Sequence, residues 1–177
     1  MHSYICLLRG INVGGHKPVG MEALRKVFEA AGFKNVQTYV QSGNVVFSAP
    51  KQSGNALERK ISAILLKEFG FPVPTMIRTA EEMELVVQRN PFRKEDPAML
   101  HVAFLSKAPD KGALKKLEER EVGPDRFRCV GTEIYIHCPN GFGRAKLPNF
   151  EKILSLSVTT RNWRTVNTLC EMSRKAN

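Results

Sequence analysis

The first half of the chain alternates between two patterns of apolar positions. Short apolar runs of strand length are followed by stretches with an apolar residue every three or four positions, which is typical of amphipathic helices. Strands are predicted at Tyr4–Leu8, Val36–Val40, Asn44–Phe47 and Val73–Arg78, and helices at Met21–Ala31 and from Asn55 to Gly70. The order β-α-β-β-α-β is the split arrangement of ferredoxin-like domains.

Residues at the ends of these elements support the assignment. Asn55 is suited to cap the second helix, with Glu58 at the capping-box position, and Thr79 and Glu82 form a second capping box. Gly43 supplies the positive φ that the turn between the second and third strands requires. These signals predict where each helix begins and where the hairpin turns.

The second half repeats the pattern as β-α-β-β-α and lacks a closing strand. Strands are predicted at Leu100–Leu105, Phe127–Val130 and Glu133–His137, and helices at Thr79–Gln88 and Lys111–Arg120, after Pro148, and from Thr160, whose hydroxyl caps the last one. The expected fold class is therefore α+β, with two ferredoxin-like halves of βαββαβ type, antiparallel sheets and additional C-terminal helices. The halves are expected to comprise residues 1–78 and 79–177.

Composition places the chain among globular proteins with a basic surface. Hydrophobic residues make up 42% of it, and the formal net charge is +10. No apolar run approaches the roughly 18 residues that span a bilayer, so we expect a cytoplasmic protein with no membrane partner. The four cysteines show no metal-binding spacing, and no metal or cofactor is expected. They are Cys6, Cys129, Cys138 and Cys170.

Basic residues are concentrated near the C-terminus. Residues 141–177 contain seven lysines and arginines but only two acidic residues. So one-sided a segment repels itself unless an anion shares its surface. The charge pattern therefore indicates an anionic partner, either a small molecule or a nucleic acid.

Three short segments resemble a known family. They are RGINVGG from Arg9, SGN from Ser42 and TRNWRT from Thr160. Together they are similar to the bacterial proteins catalogued as domain of unknown function 1697, and the likeness spans nearly the whole chain. The resemblance implies a two-part α+β fold of ferredoxin-like character in a soluble bacterial protein. It implies no activity and no catalytic residues.

The same segments provide the candidate ligand-binding residues. The glycine-rich loop after the first strand can present backbone N–H groups to an anion, although its spacing matches neither nucleotide-binding fingerprint. Glycines around Arg144 allow its guanidinium to reach a phosphate, and Arg161 and Arg164 are expected to share a face of the last helix. The residues expected to bind the ligand are Arg9, Asn12, Gly14, Gly15, Lys17, Gln41, Ser42, Asn44, Arg144, Lys146, Arg161, Asn162 and Arg164.

Three functions fit these features. The leading hypothesis is a protein that binds a phosphorylated or other anionic ligand, with nucleic acid as one version, although Tyr4 and Phe47 are the only aromatic residues placed to stack bases on the first half's first and third strands. The alternative is an enzyme that acts on an anionic small molecule, in which Arg9, Arg144 and Arg161 neutralise charge. A third is a protein-interaction module without a small ligand. The oligomeric state stays open.

Overall fold

The computed structural model describes residues 1–176 of the chain, which divide into two compact units. The first unit comprises Met1–Leu85 and residues 168–176, and the second comprises Val86–Asn167. Each unit contains one four-stranded sheet.

The first unit has a complete ferredoxin-like sheet. Its elements are β1 (His2–Leu8), α1 (Met21–Ala30), β2 (Lys34–Tyr39), β3 (Asn44–Ala49), α2 (Gly54–Phe69) and β4 (Thr75–Thr79), followed by α3 (Ala80–Gln88). The strand order is β2-β3-β1-β4, and all neighbours are antiparallel. The two central strands, β1 and β3, are almost entirely buried.

The second unit repeats this topology. Its elements are β5 (Leu100–Leu105), α4 (Lys111–Glu118), β6 (Arg126–Val130), β7 (Glu133–His137), α5 (Phe150–Leu154) and β8 (Val158–Asn162), with 3₁₀ turns at Pro97–Met99 and Phe142–Arg144. Helix α6 (Trp163–Lys175) follows, and the boundaries between the two units fall within α3 and α6. The order β6-β7-β5-β8 is equivalent to that of the first sheet. The expected α+β class with two ferredoxin-like halves is confirmed.

One detail of the second half was predicted wrongly, because the closing strand is present. Residues 158–162 form β8, which pairs with β5, where the sequence indicated a helix beginning at Thr160. The run of β-branched residues that starts at Val158 favours a strand. Asn162, not Thr160, caps the helix, since its Oδ1 accepts a hydrogen bond from the Thr165 amide at 2.8 Å.

The helix caps of the first unit agree with the sequence in part. The capping box of Thr79 and Glu82 is confirmed, since each side chain accepts a hydrogen bond from the other residue's amide. The cap of α2 is Ser53, whose side chain accepts from the Ala56 amide, so the assignment to Asn55 was wrong. Glu58 instead accepts a hydrogen bond from the amide of Ile77, 2.9 Å away, and so joins α2 to β4.

Each unit has its own hydrophobic core. The core of the first unit is rich in aromatic rings, and Tyr4 stacks on Phe47 with ring centroids 5.7 Å apart. Both rings are at most 2% exposed, so neither is available to stack a nucleic-acid base. The core of the second unit includes Ala103, Leu105, Leu117, Ile134, Ile136, Cys138, Phe150, Leu154 and Leu156.

Candidate functional site

The glycine-rich loop after β1 is tied to the β2–β3 hairpin by the side chain of Asn12. Its Nδ2 donates to the carbonyl oxygens of Val19 at 2.9 Å and Gln41 at 2.8 Å. Its Oδ1 accepts a hydrogen bond from the Val19 amide at 2.8 Å. Two of the segments expected to bind the ligand therefore lie side by side on the first unit, and the amide that joins them is engaged by the protein itself.

Glycines determine how closely the loop and the hairpin approach. The carbonyl oxygen of Gly43 accepts a hydrogen bond from the Leu8 amide at 2.8 Å. Gly43 has a φ of 81°, and a Cβ atom there would lie 2.6 Å from Cδ1 of Ile11. Gly14 and Gly15, also with positive φ, are exposed in the loop. The hairpin can pack against the loop only because position 43 has no side chain.

The polar side chains of the hairpin divide into a buried and an exposed set. Asn44 is fully buried, and its Nδ2 donates to the carbonyl oxygen of Tyr39 at 2.8 Å and to Oγ of Ser42 at 3.1 Å. Gln41 and Ser42 are exposed. Asn44 therefore holds the turn, while Gln41 and Ser42 present neutral polar groups to solvent.

The two cationic residues of the glycine-rich loop lie next to residues 71–74. Lys17 Nζ donates to the carbonyl oxygen of Pro72 at 3.1 Å and lies 5.9 Å from the ring centroid of Phe71. The backbone amide of Arg9 donates to the carbonyl oxygen of Pro74 at 2.9 Å. The ammonium group of Lys17 is thus held by the protein surface.

The expected C-terminal residues belong to the second unit and occupy different environments. Arg161 lies in β8, is 7% exposed, and donates from Nη1 to Thr159 Oγ1 at 2.8 Å and to the Thr160 carbonyl oxygen at 3.0 Å. Arg164 is exposed on α6, and Arg144 is exposed in a 3₁₀ turn. The prediction that Arg161 and Arg164 share a helix face was wrong, because the chain changes from strand to helix between them.

A cavity of about 790 Å³ in the second unit is lined by four cationic side chains. Its walls are the end of α4 with the residues that follow, and the chain leading into α5. The lining residues are Lys116, Glu119, Arg120, Glu121, Val122, Lys146, Pro148, Asn149, Lys152 and Ile153. We call this the basic cavity.

Two hydrogen bonds fix one wall of the basic cavity. The backbone amide of Lys146 donates to Oδ2 of Asp125 at 2.8 Å, and Asp125 is 5% exposed. Asn149 caps α5 by accepting a hydrogen bond from the Lys152 amide at 3.0 Å. The backbone that carries Lys146 and Lys152 is therefore anchored, while both side chains are exposed.

Sequence reasoning identified one of the four cationic residues of the basic cavity. Lys146 was among the expected ligand-binding residues, but Lys116, Arg120 and Lys152 were not. A signal for two of them was present, because Lys116 and Arg120 lie four positions apart in the helix predicted over Lys111–Arg120, and such residues share a face. In the structure α4 ends at Glu118, so Arg120 follows the helix, and only the fold brings both residues beside Lys146.

The cysteines of the second unit are not activated. Burial, with Glu118 and Glu133 nearby, raises the pKa of the Cys129 thiol to about 11. Burial, with Asp125 nearby, raises the pKa of Cys138 to about 11 as well. Both remain protonated at neutral pH and are poor nucleophiles.

Residues 1–176 contain neither a cluster of metal-binding side chains nor a membrane-spanning helix. No group of three or more histidine, cysteine, aspartate or glutamate residues in this range could hold a metal ion. None of the helices in the same range has the length and apolar character needed to cross a membrane.

The chain is similar to a protein family and to a solved structure. The family model described as "Protein of unknown function (DUF1697)" matches residues 1–135. The solved structure of the conserved bacterial protein SP0830 from Streptococcus pneumoniae is similar, with a TM-score of 0.75 and 21% sequence identity; the match covers 97% of this chain and 98% of that one. No curated protein matches the sequence. At this identity the structural likeness shows the fold alone.

Proposed function

The chain belongs to the DUF1697 family, whose description gives no activity, and we propose from its geometry that it binds a phosphorylated or other anionic ligand in the basic cavity. The observation that carries this proposal is the convergence of Lys116, Arg120, Lys146 and Lys152 on one cavity of about 790 Å³. That volume lies within the range of small-molecule sites, which is about 300–1,000 Å³.

The charges of the lining favour an anion. Four cationic side chains and two acidic ones, Glu119 and Glu121, line the basic cavity. Arg120 can form two parallel hydrogen bonds with a phosphate, whereas the lysine ammonium groups act as point charges that adapt to its position. An arrangement of this kind suits a compact polyanion such as a nucleotide, a sugar phosphate or a short polyphosphate.

Ligand binding by the glycine-rich loop and the hairpin of the first unit stays a prediction. Their exposed groups are mostly neutral, and the polar atoms of Asn12 and Asn44 are engaged within the protein. The basic cavity therefore offers the stronger electrostatic support for binding an anion.

A calorimetric titration tests the proposal. Tripolyphosphate, a nucleoside triphosphate and a sugar phosphate are titrated into the wild type and into the double variant Lys146→Gln/Lys152→Gln, the cavity variant. A hydrogen bond to a charged group contributes about 1.5 kcal/mol, and each such loss corresponds to about tenfold in affinity. We expect the cavity variant to bind the preferred anion about a hundredfold more weakly.

A matched variant separates a local site from general charge. Lys67→Gln/Lys107→Gln, the control variant, removes two exposed lysines that do not line the basic cavity. It loses the same net charge and should bind like the wild type. Equal weakening in both variants, or no binding of any tested anion to the wild type, would overturn the proposal.

A further inference from the structure

A second basic surface continues from the basic cavity along the outer strand of the second sheet. Strand β6 is one of the two edge strands of its sheet and, within residues 1–176, pairs with β7 alone. Two shallow cavities of about 460 and 620 Å³ lie along it, and both are lined by Phe92, Arg126 and Arg128. Arg93 and Lys94 add two more positive charges to the larger one. We call the surface formed by these two cavities the β6 edge.

Arg120 connects the two surfaces. It lines both the basic cavity and the smaller cavity of the β6 edge. The two surfaces together, which we call the basic track, carry eight cationic and four acidic side chains. A connected track with this excess of positive charge fits an extended polyanion better than a single small ion.

The spacing of the arginines on β6 suits a chain of phosphates. Arg126 and Arg128 are both exposed and alternate with the half-buried Phe127. Arg126 also forms an ion pair with Glu95 through Nη2 at 2.5 Å, so Arg128 is the guanidinium that a phosphate meets first. Residues two apart in a strand lie on the same face, about 6.7 Å from each other. Two guanidinium groups spaced in this way along one face can contact successive phosphates of an extended single strand.

An aromatic ring lies among these charges. Phe92 is half-buried, lines both cavities of the β6 edge, and has the guanidinium carbon of Arg126 at 5.2 Å from its ring centroid. Phe127 is different, because its ring packs against Phe150 in the core with centroids 5.5 Å apart. Phe92 is thus the ring of this surface that is placed to stack an unpaired base.

We propose that the basic track is a binding surface for single-stranded nucleic acid, with phosphates along its arginines and lysines and a base on Phe92. The inference rests on the proposed function, because the basic cavity forms one end of the basic track. A single strand is favoured over a duplex because stacking on a side chain needs bases that are not already paired. It is favoured over an acidic protein because a phosphate chain with bases uses both the charges and the ring.

Fluorescence anisotropy with a labelled oligothymidylate of about 12 nucleotides, within the site size of one small domain, tests the inference. The edge variant is Lys94→Gln/Arg128→Gln, chosen because neither side chain has a hydrogen bond or ion pair within residues 1–176. Removing two phosphate contacts should reduce the slope of log affinity against log salt by about 1.4. Phe92→Leu should weaken binding about tenfold at every salt concentration.

The same variants distinguish failure of this inference from failure of the proposed function. The edge variant and Phe92→Leu should bind tripolyphosphate like the wild type, whereas the cavity variant should lose both ligands. If oligothymidylate binds the edge variant and Phe92→Leu as tightly as the wild type, the inference is overturned even if tripolyphosphate still binds. The inference would also be overturned if a duplex of the same length, or polyglutamate, bound as tightly as oligothymidylate and if Phe92→Leu did not change that binding.

Discussion

In the loops of the first unit, asparagine side chains satisfy backbone groups that the irregular chain leaves unpaired. Asn12 has a positive φ of 54°, and its side chain serves two carbonyl oxygens and one amide of the backbone. Asparagine tolerates this left-handed conformation better than most residues because its short polar side chain bonds locally. The side chain of Asn12 therefore stabilises the backbone of the loop, a role that the neighbouring residues in the sequence do not indicate.

At the same scale, His101 makes stability depend on pH. Its ring stacks on Phe142 with centroids 4.1 Å apart, its Nδ1 is buried without a hydrogen-bond partner in residues 1–176, and burial lowers its pKa below 6.5. The pKa of a histidine in the unfolded chain is about 6.5. As the pH falls below this value, the unfolded chain binds a proton at His101, whereas the folded chain does not bind it until a lower pH. The free energy of unfolding should therefore fall between about pH 7.5 and about pH 5.5.

Urea denaturation at these two values of pH measures the effect. His101→Phe retains an aromatic ring beside Phe142 but does not titrate, so its free energy of unfolding should fall less than that of the wild type. Ionisable groups elsewhere contribute equally to both proteins and cancel in the difference. Parallel pH profiles for the two proteins would contradict the assignment.

At the scale of elements, the glycine-rich loop and the β2–β3 hairpin meet at Gly43. Gly43→Ala would force a left-handed residue to carry a Cβ atom 2.6 Å from Ile11 Cδ1 and 2.8 Å from Leu8 Cβ. The left-handed conformation costs roughly 1–2 kcal/mol, and overpacking adds about 1–3 kcal/mol. We expect a loss of about 2–5 kcal/mol in the free energy of unfolding, measured by urea denaturation.

Gly15→Ala is the matched control for this prediction. Gly15 also has a positive φ, of 77°, but no atom lies within 4 Å of the position that its Cβ would take. It should lose only the conformational part, roughly 1–2 kcal/mol. Equal losses in the two variants would show that the contact with Ile11 and Leu8 costs nothing.

The elements that the sequence predicts well are those with local signals. The capping box at Thr79 and Glu82 and the turn glycine at Gly43 act through residues at most three positions away, and both are present in the structure. Strand β8 was missed because Thr160 is suited both to a cap and to a strand. Its pairing with β5, more than 50 residues away in sequence, decides between them, and no local pattern shows that pairing.

At the scale of the whole chain, the candidate site depends on contacts between distant positions. Lys116 and Lys146 are 30 positions apart in sequence and line the same cavity. The concentration of positive charge after position 141 indicated an anionic ligand and included Lys146, but charge density alone does not show which residues converge. The class of ligand could thus be proposed from composition, whereas the cavity could be found only from the fold.

The net charge of the whole chain leads to the last prediction, which concerns salt. With a formal net charge of +10, repulsion between like charges destabilises the folded state and is screened by salt. Surface ion pairs such as Arg25–Glu29 and Arg174–Glu84 oppose this effect, but they are exposed and contribute little. The melting temperature should therefore rise between about 20 and about 200 mM sodium chloride.

The cavity variant and the control variant show where the repulsion is concentrated. Both lose two positive charges, but only the cavity variant removes them from a cluster of four. Scanning calorimetry should show the smallest rise in melting temperature with salt for the cavity variant, because like charges that are close together gain most from screening. A fall in melting temperature with salt would mean that ion pairs outweigh repulsion, and equal rises in the two variants would mean that the repulsion is spread over the whole surface.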